Sequence, residues 1–266
     1  AFEDDLTRLE EYYQDHGFLD VEILETDVTF EYPNSNSMII NVHVTEGSQY
    51  HTGTIQISGN TLFSTEELND ELELESGDIF SPSKVDANAD KLKDTYGRSG
   101  YLDTIVRAER IPNLDTGNID LNFQIKESEK FYVENISIQG NTTTKSVVIL
   151  RELALAPGDV FDLVRMRNSE ARLRNTGFFE EVNLSPEATN IPGRRNLRVT
   201  VKEGRTGNLT FGAGFSSIER AVIFAEVTQG NFDLFDYRSM FQGDGQTFRM
   251  RVSLGTRSNN VLLFFE

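Results

Sequence analysis

Gly53-Thr54-Ile55-Gln56-Ile57-Ser58-Gly59-Asn60 and Val133-Glu134-Asn135-Ile136-Ser137-Ile138-Gln139-Gly140-Asn141 are two copies of one local pattern. In each, isoleucines alternate with polar residues and the run ends in Gly-Asn, which predicts a short half-buried strand and a turn. Gly77-Asp78-Ile79-Phe80 follows the first copy and Gly158-Asp159-Val160-Phe161 the second, and both pairs keep an offset of 81 residues (59 to 140, 77 to 158). Further on, Gly100-Tyr101 answers to Gly177-Phe178 at an offset of 77, and Lys126-Glu127 to Lys202-Glu203 at 76. A period of this length marks tandem supersecondary units. Upstream, Tyr13 and Gly17-Phe18-Leu19-Asp20 match Tyr96 and Gly100-Tyr101-Leu102-Asp103 at an offset of 83, and Thr45-Glu46-Gly47 closes that copy, so the first unit lacks its front half. The expected organisation is a partial unit over residues 1–47, complete units over 48–128 and 129–204, and a different region over 205–266.

Each full unit reads strand, helix, helix, strand, strand, an α+β pattern. Ser64 with Glu67 forms a capping box, and Leu68 and Leu72 supply one apolar face, so a first helix is expected over about Thr65–Leu74. Ser81-Pro82 opens a second helix, in which Val85, Ala89, Leu92 and Tyr96 fall at helical spacing before the left-handed cap at Gly100. The same helix carries Phe2, Leu6, Leu9 and Tyr13 before Gly17 in the first unit, and Leu163, Met166 and Leu173 before Gly177 in the last. Two strands close each unit, for example Thr104–Ile111 and Asn118–Ile125.

The β-α-α-β-β order, the Gly-Asn after the first strand, the Gly-Asp-Ile/Val-Phe between helices and the Gly-Tyr/Phe cap closely resemble the POTRA (polypeptide-transport-associated) repeats of the BamA outer-membrane assembly factors. After Lys202-Glu203-Gly204 the period changes to two. Leu209, Phe211, Ala213 and Phe215 alternate with Thr210, Gly212, Gly214 and Ser216, and Phe248, Met250, Val252 and Leu254 alternate with Thr247, Arg249, Arg251 and Ser253. Ile223, Ala225 and Val227 form a further row, with Glu226 and Thr228 turned the other way. Alternating segments of about 9 to 11 residues fit transmembrane β-strands, which satisfy their backbone in lipid only in a closed barrel. The expected lipid-facing residues are Leu209, Phe211, Phe215, Ile223, Val227, Phe248, Met250, Val252 and Leu254. Gln229-Gly230-Asn231-Phe232 adds to the resemblance, whereas the family's Arg-Gly-Phe loop motif is absent. The fold expected is therefore tandem POTRA repeats followed by the first antiparallel strands of an outer-membrane barrel, as a fragment of a longer chain.

Composition narrows the function classes. With 43 acidic against 25 basic residues the net charge is −18, which argues against a nonspecific grip on nucleic acid. Residues 1–47 carry −11, 48–128 carry −8, 129–204 carry +1 and 205–266 carry 0, so acidity fades toward the C-terminal end, as it would if that end approached an anionic surface. Cysteine is absent, which excludes disulfides, thiolate metal sites and cysteine catalysis. Val261–Phe265, five residues long and unexceeded by any other unbroken apolar run, is far short of the roughly 20 residues of a membrane helix. Ala1-Phe2-Glu3-Asp4-Asp5-Leu6 has no basic start or apolar signal core.

Catalysis finds no support. His16, His43 and His51 share no spacing with a carboxylate pair, and Glu66, Glu67, Asp70, Glu71, Glu73 and Glu75 read as the solvated face of a short helix. Gly212-Ala213-Gly214 lies inside a strand pattern, where it reads as a bend in the strand rather than a nucleotide loop. Asn135, Asn141 and Asn208 match the glycosylation pattern, which an outer-membrane chain of a bacterium does not use. No enzyme activity, metal or cofactor is expected.

Binding remains. The resemblance implies that the second strand of each unit is a free sheet edge that receives unfolded outer-membrane proteins by β-augmentation. The expected edges are Val21–Phe30, Thr104–Ile111 and Glu181–Glu187, with Val21, Ile23, Val28, Phe30, Thr104, Ile105, Val106, Arg107, Ala108, Glu181, Val182, Asn183 and Leu184 as docking residues. Charges at Arg107, Glu109, Arg110, Glu180 and Glu181 could instead blunt those edges. Arg165, Arg167, Arg172 and Arg174 on the last unit's second helix are candidates for an accessory outer-membrane lipoprotein or for lipid headgroups. The same repeats suit a two-partner-secretion or TamA-like translocator, and a periplasmic scaffold without insertase activity is the reading of another class.

Overall fold

The computed structural model describes residues 2–24, 28–34, 37–113, 116–216, 220–256 and 258–266. The chain divides into two compact units, residues 1–97 with 101–129 and residues 98–100 with 130–266. The first holds α1 (Phe2–Gln14) and an antiparallel hairpin of β1 (Val28–Asn34) and β2 (Ser37–Val42), then β3 (Thr52–Ser58), α2 (Thr65–Asp70), α3 (Pro82–Arg98), β4 (Ile105–Asn113) and β5 (Asn118–Lys126). In its three-stranded sheet β5 is central, parallel to β3 and antiparallel to β4. The second unit repeats the scheme with β6 (Tyr132–Gln139), α4 (Ser146–Leu150), α5 (Leu163–Asn175), β7 (Phe179–Ala188) and β8 (Arg194–Glu203), and β8 is central. It continues into β9 (Gly207–Ser216), β10 (Arg220–Phe232), β11 (Gln246–Gly255) and β12 (Asn259–Phe265), a four-stranded antiparallel sheet in sequence order.

The repeated motifs are local hydrogen-bond devices. The Gly77 amide donates to the Thr52 carbonyl and the Thr52 amide to the Asp78 carbonyl, both at 2.8 Å, and Gly158, Val133 and Asp159 make the same two bonds at 2.8 Å. This turn lowers the motif's phenylalanine into the core, where Phe80 is 1% and Phe161 0% exposed. Leu68, Val85, Leu92, Tyr96, Leu121 and Phe123 surround Phe80. The Gly-Asn pair has a different task. Gly59 and Gly140 hold φ of +82° and +90°, and a Cβ there would fall 2.1 Å and 1.9 Å from the carbonyl oxygens of Ile125 and Val201. Asn60 Nδ2 then donates to the Phe63 carbonyl and Asn141 Nδ2 to the Thr144 carbonyl, each at 3.0 Å, closing both turns alike.

The closing glutamates finish the device. Glu127 accepts from the amides of Thr61 (2.7 Å) and Leu62 (2.9 Å) and from the hydroxyls of Thr61 and Tyr96. Glu203 accepts from the Thr142 hydroxyl (2.6 Å) and the amides of Thr143 (3.0 Å) and Thr144 (2.6 Å). Burial pushes both carboxyls up, but the converging donors overcome it and hold each at about 2, against an ordinary 4.5. A carboxyl depressed on folding contributes stability that is complete above its unfolded value and is lost as pH falls from about 4.5 to about 2. With both groups partly exposed, each is worth about 1–2 kcal/mol at neutral pH. Glu203→Gln is therefore expected to lower the melting midpoint at pH 7 and to flatten its acid dependence below pH about 4.5, as read by circular dichroism.

Two expectations are corrected here. Helix α2 ends at Asp70 rather than Leu74. The Glu73 amide is captured by Asn88 Oδ1 on α3 at 2.7 Å, and the Leu72 amide bonds three residues back to Asn69, so the helical ladder stops. In the first unit the strand expected from Val21 starts, among the described residues, at Val28. Val21 is tucked into the core at 6% exposure, Ile23 lies outside any strand, and Glu22 makes a lone bridge to Thr45. Residues 25–27 of that stretch lie outside the described residues.

Candidate functional site: two sheet edges and an apolar sheet face

Strands β4 and β7 each have a partner on one side only. Which of their backbone groups face outward follows from the register. The Ile119 amide bonds to His51 on the β3 side at 2.8 Å, so the alternate β5 residues Asp120, Asn122 and Gln124 face β4. They pair with Ile111, Glu109 and Arg107, which leaves the backbones of Val106, Ala108 and Arg110 facing outward. Pro112 falls in the same outward set, where its missing N–H costs no ladder bond. In β7 the outward set contains Val182, Leu184 and Pro186, because the Val182 carbonyl and the Leu184 amide are engaged by side chains of α5 rather than by β8.

The side chains at these edges behave unevenly. Ile105, Arg107, Glu181 and Asn183 are exposed, whereas Val182 and Leu184 point into the core at 5% and 4% exposure. Thr104 does not join the edge. It is 2% exposed, and its hydroxyl accepts the Ser128 amide at 3.3 Å, so it anchors the foot of β4. Of the charges that would blunt β4, Arg110 pairs with Asp86 (2.9 Å) and Glu109 accepts from Gln124 (2.6 Å), both at the exposed surface, and Arg107 is exposed as well. On β7, Glu180 and Glu181 bracket Lys202 at 3.0 and 3.5 Å, which holds the lysine above its ordinary pKa.

The arginines of α5 do not form one open patch. Arg165 leans on Asp162, the residue that caps the helix, at 3.4 Å. Arg174 is ion-paired with Glu170 and donates to the Val182 carbonyl at 3.3 Å, so it is spent within the fold. Arg167 and Arg172 are exposed.

In the last sheet the register sorts the side chains into two faces. Phe211, Ala225, Val252 and Val261 lie in one rung, and Leu209, Val227, Met250 and Leu263 in the next. All the residues expected to face lipid share this face, together with Val261, Leu263 and Phe265 of β12. Phe211 is 71% and Phe215 92% exposed, which leaves an uncovered apolar band. Phe248 lies on the same face, half-buried and stacked on Phe232 at 5.2 Å. The opposite face carries Glu226 between Arg249 (4.0 Å) and Arg251 (3.7 Å), with the Arg251 guanidinium 4.1 Å from the Phe224 ring centre. Gly212 makes room for that ring, since a Cβ there would sit 2.4 Å from it. The glycine supplies space for the ring.

The loop after β10 is tied to the last repeat. Asn231 Nδ2 donates to Thr144 Oγ1 at 2.8 Å, and Lys145 Nζ lies 2.8 Å from Asp233 and 3.0 Å from Asp244. Asp233 is 1% exposed, and the lysine holds its carboxyl below the ordinary value. The sequence reading missed this junction, for which no spacing rule exists. Among the described residues no helix is long and apolar enough to cross a membrane, and no group of three or more His, Asp or Glu side chains is arranged to hold a metal ion.

Residues 1–47, 50–128 and 131–204 each match the family model described as POTRA, surface antigen variable number repeat. The chain is 30% identical to a putative outer membrane protein assembly factor of Treponema pallidum, over 99% of this chain and 31% of that protein. It is 28% identical to outer membrane protein assembly factor BamA of Neisseria meningitidis serogroup B, over 99% of this chain and 32% of that protein. It thus spans about a third of the length of these curated relatives. A solved structure, BamA from Haemophilus ducreyi lacking POTRA domains 1–3, matches with a TM-score of 0.70 and 26% identity over 81% of this chain and 39% of that one.

Proposed function

The chain belongs to the POTRA-repeat family of BamA-type outer-membrane protein assembly factors, its repeats periplasmic, and on that premise we propose that the repeats receive unfolded outer-membrane proteins by β-augmentation. The observation that supports this reading is the edge strand β4, where the backbone groups of Val106, Ala108 and Arg110 face outward from the sheet. An extended chain pairs with such an edge through its own amides and carbonyls, so recognition makes little demand on side-chain sequence. That suits a receptor for many different unfolded substrates. The sheet β9–β12 is the beginning of the barrel, with the Phe211, Ala225 and Val252 rung toward lipid and the Glu226, Arg249 and Arg251 cluster toward the interior. The Lys145, Asp233 and Asp244 junction ties the last repeat to that sheet. Accessory lipoproteins or anionic headgroups meet α5 at Arg165, Arg167 and Arg172. The reading includes no bond-making step.

These 266 residues hold no cysteine, so a single one introduced among them, in the full-length protein with any cysteine elsewhere replaced, tests the proposal directly. Paired antiparallel strands bring facing Cα atoms to about 4.5–5.5 Å, within the range of a disulfide. Arg107→Cys on β4 is expected to form a disulfide with a substrate strand carrying a single cysteine, and Asn122→Cys on the central β5 is expected not to. Equal yields at the two positions would refute docking at the edge.

A further inference from the structure

The two repeat edges are not equivalent. On β7 the Val182 carbonyl accepts from Arg174 Nη2 at 3.3 Å, and the Leu184 amide donates to Glu170 Oε2 at 3.4 Å. These are the backbone groups that a docked strand would use, because neither is turned toward β8. Arg174 and Glu170 are themselves ion-paired, one turn apart on α5, so donor and acceptor are held side by side against the strand. Side chains therefore take the place of the next strand. We propose that the Glu170–Arg174 pair is a plug that closes the β7 edge of the barrel-proximal repeat, and that extended substrate docks at the β4 edge of the preceding repeat.

The sequence of the other repeat fits this asymmetry. Counted back from the cap glycine, Glu170 and Arg174 stand seven and three residues before Gly177, and the same places before Gly100 hold Lys93 and Gly97. A lysine can donate but not accept, and a glycine has no side chain, so those two places cannot reproduce the pair. Among the described residues no side-chain hydrogen bond reaches the backbone of Val106, Ala108 or Arg110. The plug is also displaceable, since Arg174 is 59% exposed at its side chain and such pairs are weak. It would yield to a strand presented at high local concentration and resist stray ones, which is how edges are protected from unwanted pairing.

The docking half of this inference rests on the proposed function, and the plug does not, so the experiment reads them separately. Hydrogen exchange of the full-length protein in nanodiscs, without substrate, reads the plug. The Leu184 amide is expected to exchange more slowly than those of Ala108 and Arg110, and Glu170→Ala with Arg174→Ala is expected to speed it about three- to fivefold, the scale of one exposed pair with its hydrogen bonds. Glu170→Gln provides a milder variant, and an unchanged melting curve shows that the repeat is folded. An unchanged Leu184 rate in the folded variants overturns the plug. Cysteine crosslinking to an unfolded barrel strand reads the docking. Arg107→Cys is expected to react in the otherwise unaltered protein, and Asn183→Cys on β7 to react only when the pair is removed. Equal reaction at both edges with the pair intact overturns the inference, while reaction at neither edge in any variant, with the exchange result intact, refutes augmentation and leaves the plug standing.

Discussion

Gly140→Ala is expected to destabilise the barrel-proximal repeat by about 3 kcal/mol or more, one of the largest effects available from a single methyl group. Two costs combine. A left-handed φ of +90° disfavours any Cβ by about 1–2 kcal/mol. The added carbon would also stand 1.9 Å from the Val201 carbonyl oxygen, a backbone atom of the central strand that cannot move without breaking the ladder to β6 or β7. Gly158→Ala separates the two, because Gly158 has a φ of +93° and nothing within 4 Å of its would-be Cβ. It is expected to cost only the conformational share. Denaturant midpoints of the two variants check this, and equal losses would show that the close approach to Val201 is unimportant.

The second large effect lies on the sheet face. Ala225 sits near the centre of β10, between Phe211 and Val252 on the apolar side. If this face meets hydrocarbon, Ala225→Arg costs about 2–4 kcal/mol, the range for a cation near the bilayer midplane of a strand barrel. Thr210→Arg places the same charge on the opposite face, beside its register partner Glu226, and is expected to cost about 1 kcal/mol or less. Reversible unfolding of the complete barrel from liposomes gives both values. The contrast between the two faces carries the information, because a soluble sheet with both faces wet would accept either arginine.

What the sequence made legible was whatever is settled locally. Gly59-Asn60, Gly77-Asp78-Ile79-Phe80 and their counterparts close turns among neighbours, so their hydrogen bonds recur with their letters. The alternation in 209–215 and 248–254 likewise sorted the faces correctly, because strand geometry alone decides it. Properties set by distant partners stayed hidden. The end of α2 depends on Asn88 reaching from another helix, and Thr104 is withdrawn from the edge by Ser128. Nothing in the spacing of Glu170 and Arg174 announces that they reach the backbone of β7, which only the position of that strand shows. The ring of Phe224 beside Gly212 is likewise set by the neighbouring strand, and nothing in β9 itself announces it.

Recognition through backbone alone is the central claim, and N-methylation tests it most directly. A peptide from an outer-membrane strand is titrated against the full-length protein in three forms: unmodified, with its side-chain sequence scrambled at constant composition, and N-methylated at alternate residues. Augmentation at β4 predicts that scrambling changes affinity little, and that methylating the edge-facing amides weakens it about tenfold or more, since each lost hydrogen bond is worth about 1 kcal/mol. Retained binding by the methylated peptide, together with loss on scrambling, would contradict the account and point to recognition by side chains.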